Sequence, residues 1–350
     1  MLQYLVRHLR QKGLRLRFGL LLMVSVTSPA FCQSMNVSNQ VFVSRNFMGQ
    51  PVPKWENGYL VGFEFTPERS PTVYAYDRNG KKLFETFLEI DGADRVILRS
   101  MAASRDGRFA FSGFAENGSA ERAYFIGFID STGRTIRVTK LDRIAARHLC
   151  FAGDGTLWAA VQAVVRHPDR NAPDHEILRG YGPDGNLKFS SLLRSSFVAT
   201  PEDPLQPHPV DDAQNAASQL SANDSEVVFT TSGFKELVKV SSVGKLLSRT
   251  RMERPNNSYL TGFALGAEGT VYLSTQEADP ALPKIANFVF YRWNPASSKW
   301  DSLFSRPTRD RGLPLAVAMM EANRMLVKSE EGRFRWITAA DGEYAFWNQP

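Results

Sequence analysis

The chain has 350 residues, 43% of them hydrophobic, which is enough for a sizeable core and for one large or two ordinary domains. Its formal net charge is +6, but residues 1–32 hold Arg7, Arg10, Lys12, Arg15 and Arg17 and no acidic side chain. Those are five of the 42 basic residues, and the remaining 37 face 36 acidic ones, so a nucleic-acid partner lacks the basic surface it needs.

Residues 1–32 read as a secretory signal. A positive stretch runs to Arg17 and the apolar run Phe18–Val26 follows. Ala30 and Cys32 then suit cleavage before Gln33. The apolar run falls well short of the roughly 20 residues that span a bilayer. No later run is long and apolar enough either, so the mature chain is expected to be secreted or periplasmic, with an uncleaved anchor as the alternative. Cys150 is then the single mature thiol, and its apolar surroundings mark it as a small core residue. His148, two residues away, would share a strand face with it.

Beyond residue 32, two phrases alternate. The first is a tight turn followed by a short apolar strand. Asp154-Gly155-Thr156-Leu157-Trp158 is its clearest copy. Further copies lie at Glu56–Val61, Ser104–Phe111 and Gly266–Leu273, with versions lacking the glycine at Asn223–Phe229 and Glu321–Val327. The second phrase is a strand, a turn and a strand: Val73–Phe84, Phe125–Ile136, Leu178–Phe189, Leu237–Leu247, Phe288–Trp300 and Phe334–Phe346. Apolar runs around Asp-Gly and Asn-Gly are strong hairpin signals.

The turn glycines of the second phrase fall at 80, 133, 185, 244 and 342, with an equivalent near 298. A period of about 50 residues built from four short strands is the mark of a β-propeller. The expected fold is therefore all-β: a six-bladed β-propeller of four-stranded antiparallel blades over 33–350. A two-sheet sandwich needs no six equivalent units, and a β-helix coil has a much shorter period. Helices should be few. Glu343–Trp347 supplies the last strand of the final unit, and Asn39–Ser44 is one strand more, either the innermost of the first blade or a clasp.

The runs Gly182-Pro183-Asp184-Gly185-Asn186-Leu187 and Asp154–Trp158 resemble the six-bladed propeller superfamily of NHL-repeat, gluconolactonase-like and streptogramin-lyase-like proteins. The resemblance covers about residues 40–350 and implies kinship of fold, because propellers host binding, scaffolding and hydrolysis alike.

In such a fold the loops joining the second to the third strand, and the fourth strand to the next blade, share one face. Two of these are long. One holds His167, Asp169, Asp174, His175 and Glu176; the other holds Asp203, His208, Asp211 and Asp212. These nine are the candidate ligand-binding residues. Histidine with carboxylates can take zinc, and carboxylates with carbonyl oxygens suit calcium, so a divalent metal is the one cofactor considered. The plain alternative is a pair of solvated surface loops. No Gly-x-Ser-x-Gly or His-Glu-x-x-His signature occurs. Trp293, Trp300, Trp336, Phe346 and Trp347 crowd the last two units, where packing between blades is their simplest role. Arg306, Arg309 and Arg311 share a further loop that could face an anion. The reading that follows is a binding or interaction protein for a protein, glycan or small molecule, without a nucleic-acid partner. The alternative is a metal-dependent, lactonase-like hydrolase or lyase at the channel mouth.

Overall fold

A computed structural model describes residues 37–46, 54–64, 70–118 except 78, 122–164, 174–197, 217–231, 236–278 with short gaps, 286–307, 317–319, 324–328 and 333–339. The chain divides into Met1–Ser34 and Met35–Pro350, and every described strand belongs to the second unit. Residues 1–32, expected to be a secretory leader, therefore lie outside the described residues.

Strand β1 is Val37–Asn46. The first sheet is β2 (Lys54–Glu56), β3 (Tyr59–Glu64), β4 (Thr72–Asp77) and β5 (Lys82–Phe87). The second is β6 (Arg95–Ala103), β7 (Phe109–Glu116), β8 (Arg122–Ile129) and β9 (Thr135–Leu141). The third is β10 (Ile144–Phe151), β11 (Leu157–Ala163), β12 (Glu176–Tyr181) and β13 (Leu187–Leu193). The fourth is β14 (Ala217–Ala222), β15 (Glu226–Thr231), β16 (Glu236–Ser241) and β17 (Leu246–Arg251). The fifth is β18 (Tyr259–Leu265), β19 (Val271–Ala278), β20 (Ala286–Asn294) and β21 (Lys299–Pro307). Finally, β22 (Val317–Met319), β23 (Arg324–Lys328) and β24 (Arg333–Ala339) make a sheet whose fourth strand is β1. Among the described residues the one helical element is the 3-10 turn Arg194–Ser196.

Every pairing is antiparallel and, within the first five sheets, between consecutive strands. The first strands touch in turn, β2 to β6, β10, β14, β18, β22 and back to β2. The fold is a β-propeller. Its blades are four-stranded antiparallel sheets, and their first strands face the central channel.

The turns follow from their residues. Asn57 and Gly58 both have positive φ and close the first hairpin with two residues, the geometry favoured by the right-handed twist of the strands. Most other hairpins repeat one device. In Asp130–Arg134 the Gly133 N–H donates to the Asp130 carbonyl and the Asp130 N–H to that of Arg134. The Asp130 carboxylate accepts from the N–H groups of Thr132 and Arg134. Asp77–Lys81 has the same set, and the main-chain pair recurs at 104–108, 152–156, 182–186, 241–245 and 266–270. The equivalent near 298 is Ser298 itself, with φ 52°.

The core lies between the blades. Phe84, Phe109, Phe111 and Phe125 fill the space between the first two sheets. Phe128, Phe151, Leu157 and Tyr181 fill the next. Trp158 is fully buried between the third and fourth sheets, its ring 4.8 Å from that of Phe189. Trp293 and Trp300 pack edge to face at 5.0 Å in the core between the fourth and fifth sheets, as expected of that pair. Each such side chain stabilises the fold by about 1.5–3 kcal/mol through burial. Trp336 pairs with Val41 and Leu326 in the strand ladder, and Phe346 and Trp347 lie outside the described residues.

One sequence expectation is corrected. The final unit was expected to end on its own strand at Glu343–Trp347. Instead the outer edge of β24 is taken by β1, with Val41 opposite Trp336 and Gln40 opposite Ile337. Asn39–Ser44 is accordingly a clasp, and the innermost strand of the first blade is β2. The reason is physical: a pairing between the two ends of the chain has no turn, so no local residue pattern announces it.

Candidate functional site

Of the nine candidate loop residues, Asp174, His175 and Glu176 are described. His167, Asp169, Asp203, His208, Asp211 and Asp212 lie outside the described residues, as do Arg309 and Arg311. Asp174 turns back onto its own blade. Its carboxylate accepts from the Ser195 N–H at 3.0 Å and the Ser195 hydroxyl at 2.5 Å. That hydroxyl holds the carboxyl below the usual aspartate range. The His175 carbonyl accepts from the Arg194 N–H, and His175 Nε2 accepts from the Ala163 N–H at 3.1 Å. The ring lone pair that would ligate a metal is thus engaged by β11. Glu176 opens β12 opposite Leu193. Among the described residues no group of three or more His, Cys, Asp or Glu comes together as a metal ion would need.

Charge of another kind collects on the inner strands. The ladder between β6 and β7 shifts register between Leu98 and Ser100, and that between β10 and β11 shifts between Ala146 and His148. Arg99 and Arg147 are the extra residues. The same break falls at Ser218 in β14 and Thr261 in β18. A bulge leaves one residue outside the ladder and re-aims it, which is why bulges recur beside binding sites.

Arg147 is half-buried, and its Nε donates to Gln162 Oε1 at 2.7 Å. Burial, and then the positive charge of Arg99, push its pKa down from the ordinary arginine value. The Arg99 guanidinium lies 5.5 Å from the Phe114 ring centre, and Arg122 lies 4.6 Å from the same ring. Arg122 is neutralised by Glu116 at 3.0 Å. Among the described residues neither Arg99 nor Arg147 meets a carboxylate.

Below this level sits Glu56, whose carboxylate accepts from the main-chain N–H groups of Ala103 (2.9 Å) and Phe151 (3.0 Å) and from Lys54 (3.1 Å). Lys54 donates in turn to the Leu149 carbonyl at 2.6 Å. Burial raises the Glu56 pKa, with Lys54 and the two amides pulling against it. These bonds tie β2 to β6 and β10 and engage both carboxylate oxygens, so Glu56 is a pin between blades. His148 is pushed down to about 4 by burial, and then by Lys54 and Arg147. Cys150 is fully buried and burial raises its thiol, which suits a core residue and not a nucleophile.

Sequence reasoning overlooked Arg99 and Arg147. A signal exists: each stands eight residues before the left-handed glycine of its hairpin, Gly107 or Gly155, and Thr261 stands eight before Gly269. The hydrophobic pattern conceals it, because a bulge shifts the alternation by one.

No protein-family model and no curated protein matches the chain. Among the solved structures similar to the chain are the following two. One, a protein of unknown function from Bacteroides caccae, is 14% identical, covers 77% of this chain and 81% of its own, and has a TM-score of 0.43. The other is a gluconolactonase from Xanthomonas campestris, 13% identical, covering 87% of this chain and 98% of its own, with a TM-score of 0.47. At these values the fold rests on the strand pairing itself. Among the described residues no helix is long and apolar enough to cross a membrane.

Proposed function

We propose that the chain is an extracytoplasmic six-bladed propeller that binds a ligand at the channel end bearing the long loops of the third and fourth sheets. The sixth blade is the sheet closed by β1, and the ring of inner strands supports that count. The observation that supports binding is the pair of arginines raised on bulges of adjacent inner strands, half-buried in one case and without a carboxylate among the described residues. A scaffold alone has no use for such a pair, and an apolar or neutral residue would sit there at lower cost.

A metal-dependent hydrolase draws less support. Asp174 and His175 are committed to contacts within their blade, and Glu56 is engaged by two main-chain amides and Lys54. The test is metal analysis and thermal melting of the purified chain, with and without a chelator. A binding protein keeps its melting temperature in chelator. Stoichiometric metal, lost to chelator together with several degrees of melting temperature, would favour the hydrolase, because a metal bound only to the native state must stabilise it.

A further inference from the structure

Bulges on two neighbouring inner strands each carry an arginine. Arg99 and Arg147 occupy the same register position on neighbouring strands, each one residue outside its ladder. The two strands are joined just beside them, where the Leu149 N–H donates to Ser100 Oγ at 3.0 Å. The arginines are therefore held side by side by the backbone and not by a shared counter-ion.

Each is also oriented. The Arg147 Nε is fixed by Gln162, and among the described residues its two terminal nitrogens meet no acceptor. Arg99 lies by the face of Phe114, a buried ring that also stacks near Tyr124 at 5.7 Å. Among the described residues, the nearby carboxylates are already paired. Lys54 stands on β2, and the carboxylate closest to it, Glu56, is taken up by Lys54 and two amides. Glu116, the carboxylate beside Arg122, is taken up by Arg122 and Arg95. Guanidinium pairs with free terminal nitrogens match the geometry of an oxyanion, to which they donate two parallel bonds.

We propose that Arg99 and Arg147 form a recognition site for an oxyanion, a carboxylate or a phosphate carried by a small ligand, on the channel side of the second and third blades. The proposal rests on the reading of the chain as a binding protein and names the chemistry of its ligand.

The test is calorimetry and thermal melting of the purified chain with inorganic phosphate, with citrate, and with chloride at matched ionic strength. Phosphate or citrate should raise the melting temperature where chloride does not, and the better of the two identifies the source. Arg99→Ala and Arg147→Ala should each weaken binding about tenfold or more, as expected for loss of a charge-assisted bond. Arg99→Lys should weaken it too, since a point charge lacks the fork. Arg122→Ala should leave it unchanged, because Glu116 already occupies that side chain. An equal response to all three salts overturns the site, and so does a phosphate or citrate response that survives in both alanine variants. If an alanine variant does not fold, the Arg99→Lys and Arg122→Ala pair decides the matter, and equal weakening in both overturns it. Screening neutral sugars and peptides in parallel separates the two readings. Where neither phosphate nor citrate shifts the melting temperature, a neutral ligand that binds wild type and both alanine variants alike would leave a binding protein without this anion site, and no ligand at all would remove the binding reading itself.

Discussion

At the scale of single residues, two positions are under visible constraint. Gly133 has φ +87°, and a Cβ there would lie 2.8 Å from Cβ of Phe84, which belongs to the core between the first two blades. Both the left-handed backbone and the contact oppose a side chain. Gly133→Ala should cost about 1–3 kcal/mol, read from urea unfolding. An unchanged midpoint would mean that the turn relaxes freely. His148 makes a prediction about pH. Its folded pKa of about 4 lies below the ordinary 6.5, so between those values the unfolded chain binds the extra proton. Its contribution is present above about pH 6.5 and is lost as pH falls towards 4. Comparing wild type with His148→Gln across that window cancels the carboxylates common to both. The stability of wild type relative to the variant should decline on acidification. A constant difference would show that the ring is not desolvated.

At the scale of elements, the hairpins were legible and their assembly less so. Asp77, Asp130 and Asp154 each accept from main-chain amides two or more residues on, and a glycine follows in the left-handed region. That chemistry is local, so Asp-x-x-Gly and Asp-Gly report it directly, and the strand order within each blade follows. Ser298 shows the limit of the letter code, since it holds the glycine conformation without being glycine. The candidate loops were found by length and composition. Their described part, Asp174 to Glu176, engages the adjoining blade strands and the 3-10 turn at Ser195. The arginine pair was not found, because bulges on separate strands are brought together only by the ring. The Glu56 pin is equally non-local, with acceptor and donors 47 and 95 residues apart. Glu56→Ala would leave the Ala103 and Phe151 amides and the Lys54 ammonium without their acceptor. It should cost about 2–4 kcal/mol, the range for stranding buried donors and a charge. Chemical denaturation of the variant measures this, and a loss under about 0.5 kcal/mol would show that water replaces the carboxylate.

At the scale of the whole molecule, closure is the open mechanical question. Each blade is a short twisted sheet that covers its neighbours' faces, so the ring gains most of its burial only when every interface is made. Four of those interfaces lie between contiguous sheets and hold cores that include large aromatic side chains, with Phe84 on Phe109 at 5.0 Å across the first and Phe197 near Phe229 at 5.9 Å across the third. The last sheet is different. Its strands β22 and β23 are short, and its outer strand comes from the opposite end of the chain. The ladder between β1 and β24 joins those two ends by backbone hydrogen bonds. In the unfolded chain, bringing residues 37 and 339 together costs loop-closure entropy that grows only slowly with length. Once the five earlier sheets have formed, most of that cost has been met, so β1 should dock last and leave first. Hydrogen exchange tests this directly. The β24 amides bonded to β1 should exchange by an opening of lower free energy than amides of β7 or β11. A Pro substitution at Val41, whose ladder partner is Trp336, should lower that protection selectively and reduce the global melting temperature by less than the Glu56→Ala change. If β24 and β7 exchange in one cooperative step, the clasp is part of the folding core and the ring closes in concert.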